Sequence, residues 1–428
     1  MGCEWNGATD ASTLCTKNRH NPIPSVAPTY LTAMTSETLE TVCIGDEVTS
    51  LDSKPKRTAL IPLEALRRHV CILGTTGSGK SNCAKVICRE LNHLGVPTVV
   101  LDRTGEYAEA FAADAGVKVL TPGKNLVTPI FTLTEKHGRA DISSQIEDWI
   151  SLLDHFNHVS NSAGLSPLQT RVLREVLWQH YEGTTRTLTI SGLISKLLEF
   201  GSHVNNLNGW QESIEALVSR LWPMTVEGVG EALDRSYGIF GIDEFLEPGL
   251  KILDLSKLRD DRAKNLLSQV LLKHINVAVR SRGKTGELRV VVVIDEAQHL
   301  APNERGYISV PENFAIELRK YGLSLVTCAS RPSLVSPNII ANSNTVISFM
   351  LNNMIDIETV AGYFVGGTRD DHVRDMLRQL PVGEAMLQLN HPVPKSPARC
   401  RVASAMEGPA LEKAPLPIGT QRVGGRSR

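Results

Sequence analysis

Hydrophobic residues in this chain form short, continuous runs that alternate with longer stretches of helical periodicity. Residues 70–73 and 290–294 are apolar at every position, a pattern typical of strands buried on both faces of a parallel sheet. After the first run, Ala84, Ile87 and Leu91 recur three and four positions apart, as on one face of a helix. Strands that alternate with helices in this way predict an α/β fold with a mainly parallel sheet.

The same pattern extends along most of the chain. From about residue 141 to residue 235 the period is helical, and Ser166, Pro167 and Gln169 have the spacing of a helix start with a capping box. A helical bundle is therefore expected to interrupt the sheet. Further strands are predicted at residues 97–101, 117–120, 250–255, 323–329, 346–351 and 385–389.

A glycine-rich turn follows the first buried strand and matches the phosphate-binding pattern G-x-x-x-x-G-K-[ST]. Glycine adopts the backbone angles that turn several N–H groups toward one anion, and the N-terminus of the next helix adds partial positive charge. Lys80 would add a full charge and Ser81 a hydroxyl for Mg²⁺, so ATP and Mg²⁺ are the predicted ligands. The predicted nucleotide-binding residues are Gly74, Thr75, Thr76, Gly77, Ser78, Gly79, Lys80, Ser81 and Asn82.

The second buried run ends directly in Asp295 and Glu296. A hydrophobic strand that ends in Asp-Glu downstream of a P-loop is the Walker B pattern. Asp295 is predicted to hold Mg²⁺ through its water shell, and Glu296 to accept a proton from the water that attacks the γ-phosphate. Together the two motifs predict an NTP hydrolase with a P-loop core.

The charge balance offers no general field that would attract nucleic acid. Lys and Arg number 45, and Asp and Glu number 46, so any contact with DNA must come from a local patch. Two basic, glycine-containing loops near the Walker B strand supply the candidate DNA contacts Arg282, Lys284 and Arg305. As surface loops, both are also explained without any such role.

No apolar run approaches the length of about 18 residues that a membrane span requires. The first ten residues also lack the basic and apolar regions of a signal peptide. The protein is therefore expected to be cytoplasmic and to have no membrane partner.

These patterns divide the chain into five predicted segments. Residues 1–44 are expected to form an N-terminal arm, and residues 45–138 the first part of the ATPase core. Residues 139–248 are the helical insertion, and residues 249–405 the second part of the core, with the Walker B strand. Residues 406–428 are rich in Pro and Gly and are expected to form a flexible tail.

Five segments of the chain carry a family resemblance: RHVCILGTTGSGKSN, VVLDRTGEYAEAF, VVVVIDEAQHLAP, LRKYGLSLVTCASRPSLVSPNIIANSNTVI and LPVGEAML. Taken together they resemble the HerA branch of the FtsK and HerA superfamily of hexameric DNA-pumping ATPases. The resemblance covers about residues 60–405 and implies a RecA-like core that assembles as a ring, a hexamer, around double-stranded DNA. It also implies a partner, either a NurA-like nuclease in DNA end processing or another effector protein in antiviral defence.

The resemblance gives the same roles to Lys80, Ser81, Asp295 and Glu296 as the motifs do. It adds Arg319, which matches the basic segment before the family's sensor strand and would reach the γ-phosphate of a neighbouring subunit. The alternative is that the positive charge of Arg319 only stabilises the negative end of the helix dipole, at the C-terminus of the helix predicted from residue 311 to residue 321.

Three features depart from the family pattern. The sensor strand commonly ends in Ser-Gln-Arg-Pro, but Ser330 stands here where the glutamine would contact γ-phosphate or water. The family's D-P-H-G-E-Y becomes Asp102 to Tyr107, DRTGEY, a segment expected beside the P-loop. Relatives usually carry a β-barrel before the P-loop strand, and too few residues precede it here for a complete one.

Two functions remain open at this level. The first is an ATP-driven DNA translocase or helicase. The second is a nucleotide-gated ring scaffold that regulates an effector and hydrolyses ATP slowly, an alternative motivated by Ser330 and the shortened N-terminal region.

Overall fold

Eleven strands form one sheet in the computed structural model, which describes residues 40–48, 57–133, 139–159, 164–184, 186–204, 209–226, 228–304, 308–364, 371–391 and 396–405. Their order across the sheet is β2-β1-β11-β10-β9-β3-β8-β7-β4-β6-β5. The strands are β1 (Thr41–Glu47), β2 (Thr58–Pro62), β3 (Val70–Leu73), β4 (Thr98–Asp102), β5 (Val117–Leu120), β6 (Leu250–Asp254), β7 (Val290–Ile294), β8 (Leu323–Ala329), β9 (Thr345–Ser348), β10 (Glu384–Leu389) and β11 (Ala398–Val402).

The pairing directions divide this sheet into two parts. From β9 to β5, all neighbouring strands are parallel. β10, β11, β1 and β2 extend it as an antiparallel ribbon. The predicted α/β fold with a mainly parallel sheet is therefore confirmed. β11 was not predicted, because it alternates buried and outward-facing residues over only five positions.

Helices cover both faces of the sheet. They are α1 (Leu63–Leu66), α2 (Lys80–His93), α3 (Glu106–Ala110), α4 (Arg139–Val159), α5 (Pro167–Gly183), α6 (Ile190–His203), α7 (Trp210–Leu221), α8 (Val229–Leu233), α9 (Asp261–Ser281), α10 (Val310–Glu317), α11 (Pro337–Asn342), α12 (Met354–Ala361) and α13 (Asp371–Gln379).

Two hydrophobic cores lie on opposite faces of the sheet, because successive strand residues point to opposite sides. Val70 and Ile72 of β3 belong to the core that also contains the buried face of α2. Cys71 and Leu73 belong to the other core, which includes α9 and the helices inserted after β5. The P-loop strand is thus buried on both faces, as its sequence predicts.

Helices α4 to α8 lie in the chain between β5 and β6, where the sequence predicts a helical insertion. α5 begins with the predicted capping box: the Ser166 hydroxyl accepts a hydrogen bond from the Gln169 amide at 3.2 Å, and Gln169 Oε1 accepts one from the Ser166 amide at 2.9 Å. α4 packs on α9, where Lys273 Nζ lies 2.7 Å from Asp148 Oδ1. The insertion is therefore anchored to the sheet through α9.

One local prediction needs correction. The helix predicted for residues 311–321 is α10 only as far as Glu317, and a 3₁₀ turn, Leu318–Tyr321, completes it before the left-handed cap at Gly322. In the strand order, β8 and β7 lie between the P-loop strand β3 and β4.

The described part of the chain begins at residue 40 and ends at residue 405. β1 runs across the domain boundary predicted between residues 44 and 45. Residues 1–39 and 406–428, which contain most of the predicted arm and the predicted tail, lie outside the described residues. Within the described ranges, no helix has both the length and the apolar character needed to cross a lipid bilayer.

Candidate nucleotide-binding site

The carboxyl ends of β3, β8 and β7 lie side by side at one edge of the sheet. In the parallel register, Leu73 pairs with Ala329, and Ile294 pairs with Thr327. The residues that follow these three strands therefore begin at nearly the same level. Since α/β sheets bind ligands at the carboxyl ends of their strands, the fold brings the P-loop and the Walker B residues to one site.

Two P-loop positions require glycine because Phe349 packs against them. Gly74 has φ 151° and Gly79 has φ 117°, both of which disfavour a side chain. A Cβ at position 74 would lie 2.6 Å from the Phe349 Cβ, and one at position 79 would lie 3.0 Å from its ring. Phe349 follows β9 and is fully buried. Its side chain therefore packs against the P-loop from the interior of the protein and restricts the conformation of the loop.

Thr75 organises the hydrogen bonds within the loop. Its amide donates to the Met350 carbonyl at 2.8 Å. Its own carbonyl accepts from the Ser78 hydroxyl at 2.7 Å and from Lys80 Nζ at 2.9 Å. Ser78, predicted to bind nucleotide, is buried and uses its hydroxyl to hold the loop in shape.

Several P-loop amides remain available for a ligand. They make no hydrogen bond with any residue that the structure describes. Because three of them belong to the first turn of α2, they also lie at the positive end of the helix dipole. This set of donors suits a phosphate group. The available amides are those of Thr76, Gly77, Gly79, Lys80, Ser81 and Asn82.

The Asn82 side chain has a different partner from the predicted nucleotide. Its Nδ2 donates to the Ala403 carbonyl at 2.8 Å, and its Oδ1 accepts from the Ala405 amide at 3.0 Å. Only the main chain of Asn82 is therefore available for phosphate. The side chain instead binds the segment that follows β11.

The electrostatics of the site favour a cation. Burial, and next the neighbouring Glu296 carboxylate, raise the pKa of Asp295 to about 6. Burial lowers the pKa of Lys80, while the carboxylates of Glu296 and Asp295 act in the opposite direction. A divalent cation beside Asp295 would stabilise its ionised form.

The donor set near Asp295 suits Mg²⁺ held in part by its substrate. Ser81, the second residue of α2, offers a hydroxyl, and Asp295 offers a carboxylate. The described residues contain no group of three or more His, Cys, Asp or Glu side chains placed to hold a metal. Mg²⁺ commonly binds one or two carboxylates and takes its other ligands from phosphate and water, so the residues present fit this cation.

Glu296, the predicted base, follows Asp295 with a left-handed backbone, at φ 51° and ψ 52°. Its Oε2 accepts a hydrogen bond from the Ser330 hydroxyl at 2.7 Å and another from the Gln298 side-chain amide. Ser330 therefore contacts the candidate base, although it is shorter than the glutamine expected at its position.

Asp102 does not serve as a free ligand in this structure. It is fully buried, and its Oδ1 accepts from the Gly105 amide at 2.8 Å. Its Oδ2 accepts from the amides of Tyr107 at 3.0 Å and Ala108 at 2.9 Å. The carboxylate thus caps the first turn of α3. Glu106, in the same segment, acts to raise the pKa of both Lys80 and Asp295, so the expected acidic segment does lie near the P-loop.

Arg103 occupies the position where the family pattern has proline. Its guanidinium donates to Asn265 at 2.6 Å and to Asp261 at 3.0 Å, both on α9. It ties the turn after β4 to α9, a role that the sequence alone did not suggest.

Arg319 lies in the 3₁₀ turn that leads into the amino end of β8. β8 has seven residues, so at about 3.3 Å per residue it separates Arg319 from the P-loop edge by roughly 20 Å. Arg319 is exposed and makes no ion pair or side-chain hydrogen bond with any described residue. It cannot reach the nucleotide site of its own chain.

Two of the three candidate DNA contacts, Arg282 and Lys284, lie in the described part of the chain. Arg282 and Lys284 are exposed and precede the amino end of β7. The Nη2 atom of Arg282 lies 3.2 Å from Oδ1 of Asp243. Asn303 and Glu304 follow the carboxyl end of β7, on the edge that carries the P-loop. Arg305 lies outside the described residues.

Three contributors to the site were missed from the sequence. Phe349 and Met350, which support the P-loop, lie about 270 positions from it in the chain. Gln298 was not singled out, although it stands only two positions after Glu296. A polar residue that close to a candidate base is a usable sequence signal, whereas the support from Phe349 depends on the strand order.

Comparisons with known proteins agree with this architecture. A curated relative, the DNA double-strand break repair helicase HerA of Pyrococcus furiosus, is 24% identical over 378 residues, which cover 80% of this chain and 67% of the relative. A probable helicase of Methanocaldococcus jannaschii is 25% identical over 335 residues, which cover 75% of this chain and 60% of the relative. The alignments thus span roughly two thirds of these relatives' own lengths.

Solved structures support the fold independently. The plasmid coupling protein TrwB in complex with ADP and Mg²⁺ superposes with a TM-score of 0.60 at 16% identity, covering 87% of this chain and 96% of that chain. At this identity the similarity establishes the fold alone, an α/β fold with a mainly parallel sheet. The family model described as "Helicase HerA, central domain" matches residues 47–275. Since that match covers more than half of the 428 residues, the chain belongs to the HerA helicase family.

Proposed function

We propose that this protein is a Mg²⁺-dependent ATPase whose subunits assemble as a hexameric ring and translocate duplex DNA. Membership of the HerA helicase family supports the proposal. The observation that carries it is Glu296 at the carboxyl end of β7, at the sheet edge that holds the P-loop. A carboxylate at this position can take a proton from water, which an NTP hydrolase requires.

The roles of the side chains follow from their chemistry. The available P-loop amides and Lys80 would bind the phosphates, and Ser81 with Asp295 would hold Mg²⁺. Bound Mg²⁺ neutralises charge on the phosphate oxygens. Glu296 would accept the proton of the attacking water, with its carboxylate oriented by Ser330.

The other half of the site is proposed to come from a neighbouring subunit. Arg319 is exposed, lacks an ion-pair partner among the described residues, and lies roughly 20 Å from its own P-loop edge at about 3.3 Å per strand residue. An arginine supplied by the next copy would make hydrolysis depend on ring assembly.

The proposed partners are duplex DNA and a nuclease or other effector. The archaeal relative's name refers to double-strand break repair, which favours DNA end processing with a NurA-like nuclease over antiviral defence. The scaffold alternative was motivated in part by Ser330, and the hydrogen bond from Ser330 to Glu296 supports instead a role for this shorter residue at the candidate base.

The test is ATP hydrolysis by the purified protein with and without duplex DNA, together with particle mass in the presence of nucleotide. Duplex DNA is expected to stimulate hydrolysis in a ring-sized particle. Glu296→Gln is expected to lower kcat by about 10²-fold or more, the usual scale for loss of a general base, while nucleotide still binds. A ring that assembles on DNA but hydrolyses no faster than the Glu296→Gln variant would contradict the motor and favour the scaffold.

A further inference from the structure

Glu296, Gln298 and Ser330 form a closed set of hydrogen bonds. The Ser330 hydroxyl donates to Glu296 Oε2 at 2.7 Å. Gln298 Nε2 donates to the same oxygen and also to Ser330 Oγ, at 3.0 Å. Residues from two neighbouring strand ends, β7 and β8, therefore converge on one carboxylate oxygen.

The chemistry of these groups fixes the direction of each bond. An ionised carboxylate only accepts hydrogen bonds, so Gln298 must face Glu296 with its NH₂ group. The two protons of that NH₂ group reach Glu296 and Ser330, and the single proton of Ser330 reaches Glu296. Every donor in the set is used, and Glu296 Oε1 accepts no hydrogen bond from the residues that the structure describes.

Two further observations distinguish this set from ordinary surface hydrogen bonds, one at Gln298 and one at Glu296. Its Oε1 is buried and has no hydrogen-bond partner among the described residues, which is an unfavourable state for an amide. Glu296 also adopts left-handed backbone angles that disfavour a residue other than glycine. Strain of this kind persists where surrounding contacts hold the residue in place, and it concentrates at functional sites.

We propose that Gln298 is a positioning residue for Glu296: with Ser330 it immobilises one carboxylate oxygen and leaves the other free to take a proton from the water that attacks the γ-phosphate. The inference rests on the proposed hydrolysis. A carboxylate held by one donor can still rotate about its terminal bond, whereas donors from two strand ends fix its plane. The shorter Ser330 thus acts together with Gln298.

The test compares steady-state ATP hydrolysis by the wild type and by Gln298→Met, which keeps the side-chain length and removes the amide. We expect kcat to fall about 10- to 100-fold, the scale of a misplacement of about 1 Å, while KM and nucleotide affinity change by less than about 2-fold. Gln211→Met is the matched control, because Gln211 donates to a carboxylate, that of Glu215, at 3.0 Å on an exposed helix. It should leave kcat unchanged.

A double-mutant cycle separates positioning from a structural role. If Gln298 acts through Glu296, Gln298→Met should lower the residual single-turnover rate of the Glu296→Gln protein by less than about 2-fold. An equal fold-loss in both backgrounds, or an unchanged kcat in Gln298→Met alone, would overturn the inference. If a thermal unfolding experiment shows that Gln298→Met is not folded, Ser330→Ala takes its place, and the same changes in kcat are expected.

The outcomes also separate this inference from the proposed function. A wild-type protein without hydrolysis, or a Glu296→Gln variant as active as the wild type, would overturn the proposed function itself. Loss of activity in Glu296→Gln with full activity in Gln298→Met would overturn only the positioning role.

Discussion

The side chain of Asn82, directly after the P-loop serine, is bound to the main chain of Ala403. The Asn82 amide donates at 2.8 Å, and its oxygen accepts from the Ala405 amide at 3.0 Å. The same ribbon meets the P-loop a second time, where the Gly383 amide donates to the Ser78 carbonyl at 3.0 Å. The antiparallel extension of the sheet is therefore joined to the nucleotide site.

Asn82→Ala should destabilise the protein by about 1–3 kcal/mol, because it leaves a partly buried carbonyl and a partly buried amide without partners. Denaturant unfolding measures the change. Asn342→Ala is the control, since Asn342 makes its 2.8 Å bond to Asn338 on an exposed surface, and it should change the free energy of unfolding by less than about 0.5 kcal/mol. Equal effects in the two variants would argue against the role of Asn82.

Asp295→Asn should stabilise the protein at pH 7 while abolishing Mg²⁺-dependent hydrolysis. Burial and the Glu296 carboxylate raise the pKa of Asp295 from 3.8 to about 6. The folded state therefore resists ionisation of this group. The contribution of Asp295 to the free energy of unfolding falls as pH rises from about 4 to 6. Asparagine avoids this cost, which is on the order of 3 kcal/mol.

The measurement for Asp295→Asn is denaturant unfolding without Mg²⁺ at pH 7 and at pH 4. The gain should be present at pH 7 and should be mostly lost at pH 4, where Asp295 is protonated in the folded state and about half protonated in the unfolded state. A variant less stable than the wild type at pH 7 would contradict the prediction.

His69 should make stability fall in mild acid. Burial lowers its pKa from 6.5 to about 4, and its Nδ1 accepts a hydrogen bond from the Leu325 amide at 3.0 Å, which protonation would break. Because the folded pKa is depressed, the unfolded state binds more protons between pH 6.5 and 4. The stability contributed by His69 is present above pH 6.5 and is lost as pH falls toward 4, by on the order of 3 kcal/mol.

His69→Asn tests this dependence. Asparagine tolerates the left-handed backbone at this position, where φ is 69°, and it does not titrate. The slope of unfolding free energy against pH between 4 and 6.5 should be shallower in the variant than in the wild type. Identical slopes would show that His69 is not responsible.

Mixing two inactive variants tests the proposed role of Arg319 in a neighbouring site. Arg319→Ala keeps an intact P-loop, and Lys80→Ala keeps an intact arginine. If the arginine acts between subunits, an equal mixture should recover about a quarter of wild-type hydrolysis, the fraction of interfaces that pair the two intact halves at random. If it acts only within its own chain, the mixture should stay inactive.

The control for the mixing experiment is Lys320→Ala in place of Arg319→Ala. Lys320 is the exposed cation next in sequence and packs over Tyr321, with its nitrogen 5.7 Å from the ring centroid. Lys320→Ala alone should hydrolyse ATP at close to the wild-type rate.

The sequence by itself determined the parts of this protein that depend on adjacent residues. The P-loop, the Walker B pair and the capping box of α5 are contiguous, and their chemistry depends on spacing along the chain. Continuous apolar runs also predicted most of the parallel strands, because a strand buried on both faces must be apolar throughout. These local signals were sufficient for the α/β fold and for membership of the family.

Only the tertiary structure decided which distant residues meet. The strand order placed β8 between β3 and β7, so Ser330 after β8 meets Glu296 after β7. It also brought Phe349 under the P-loop and turned Asn82 toward Ala403. Such contacts depend on the three-dimensional arrangement of elements far apart in the chain, and no periodicity or spacing in a single sequence encodes that arrangement.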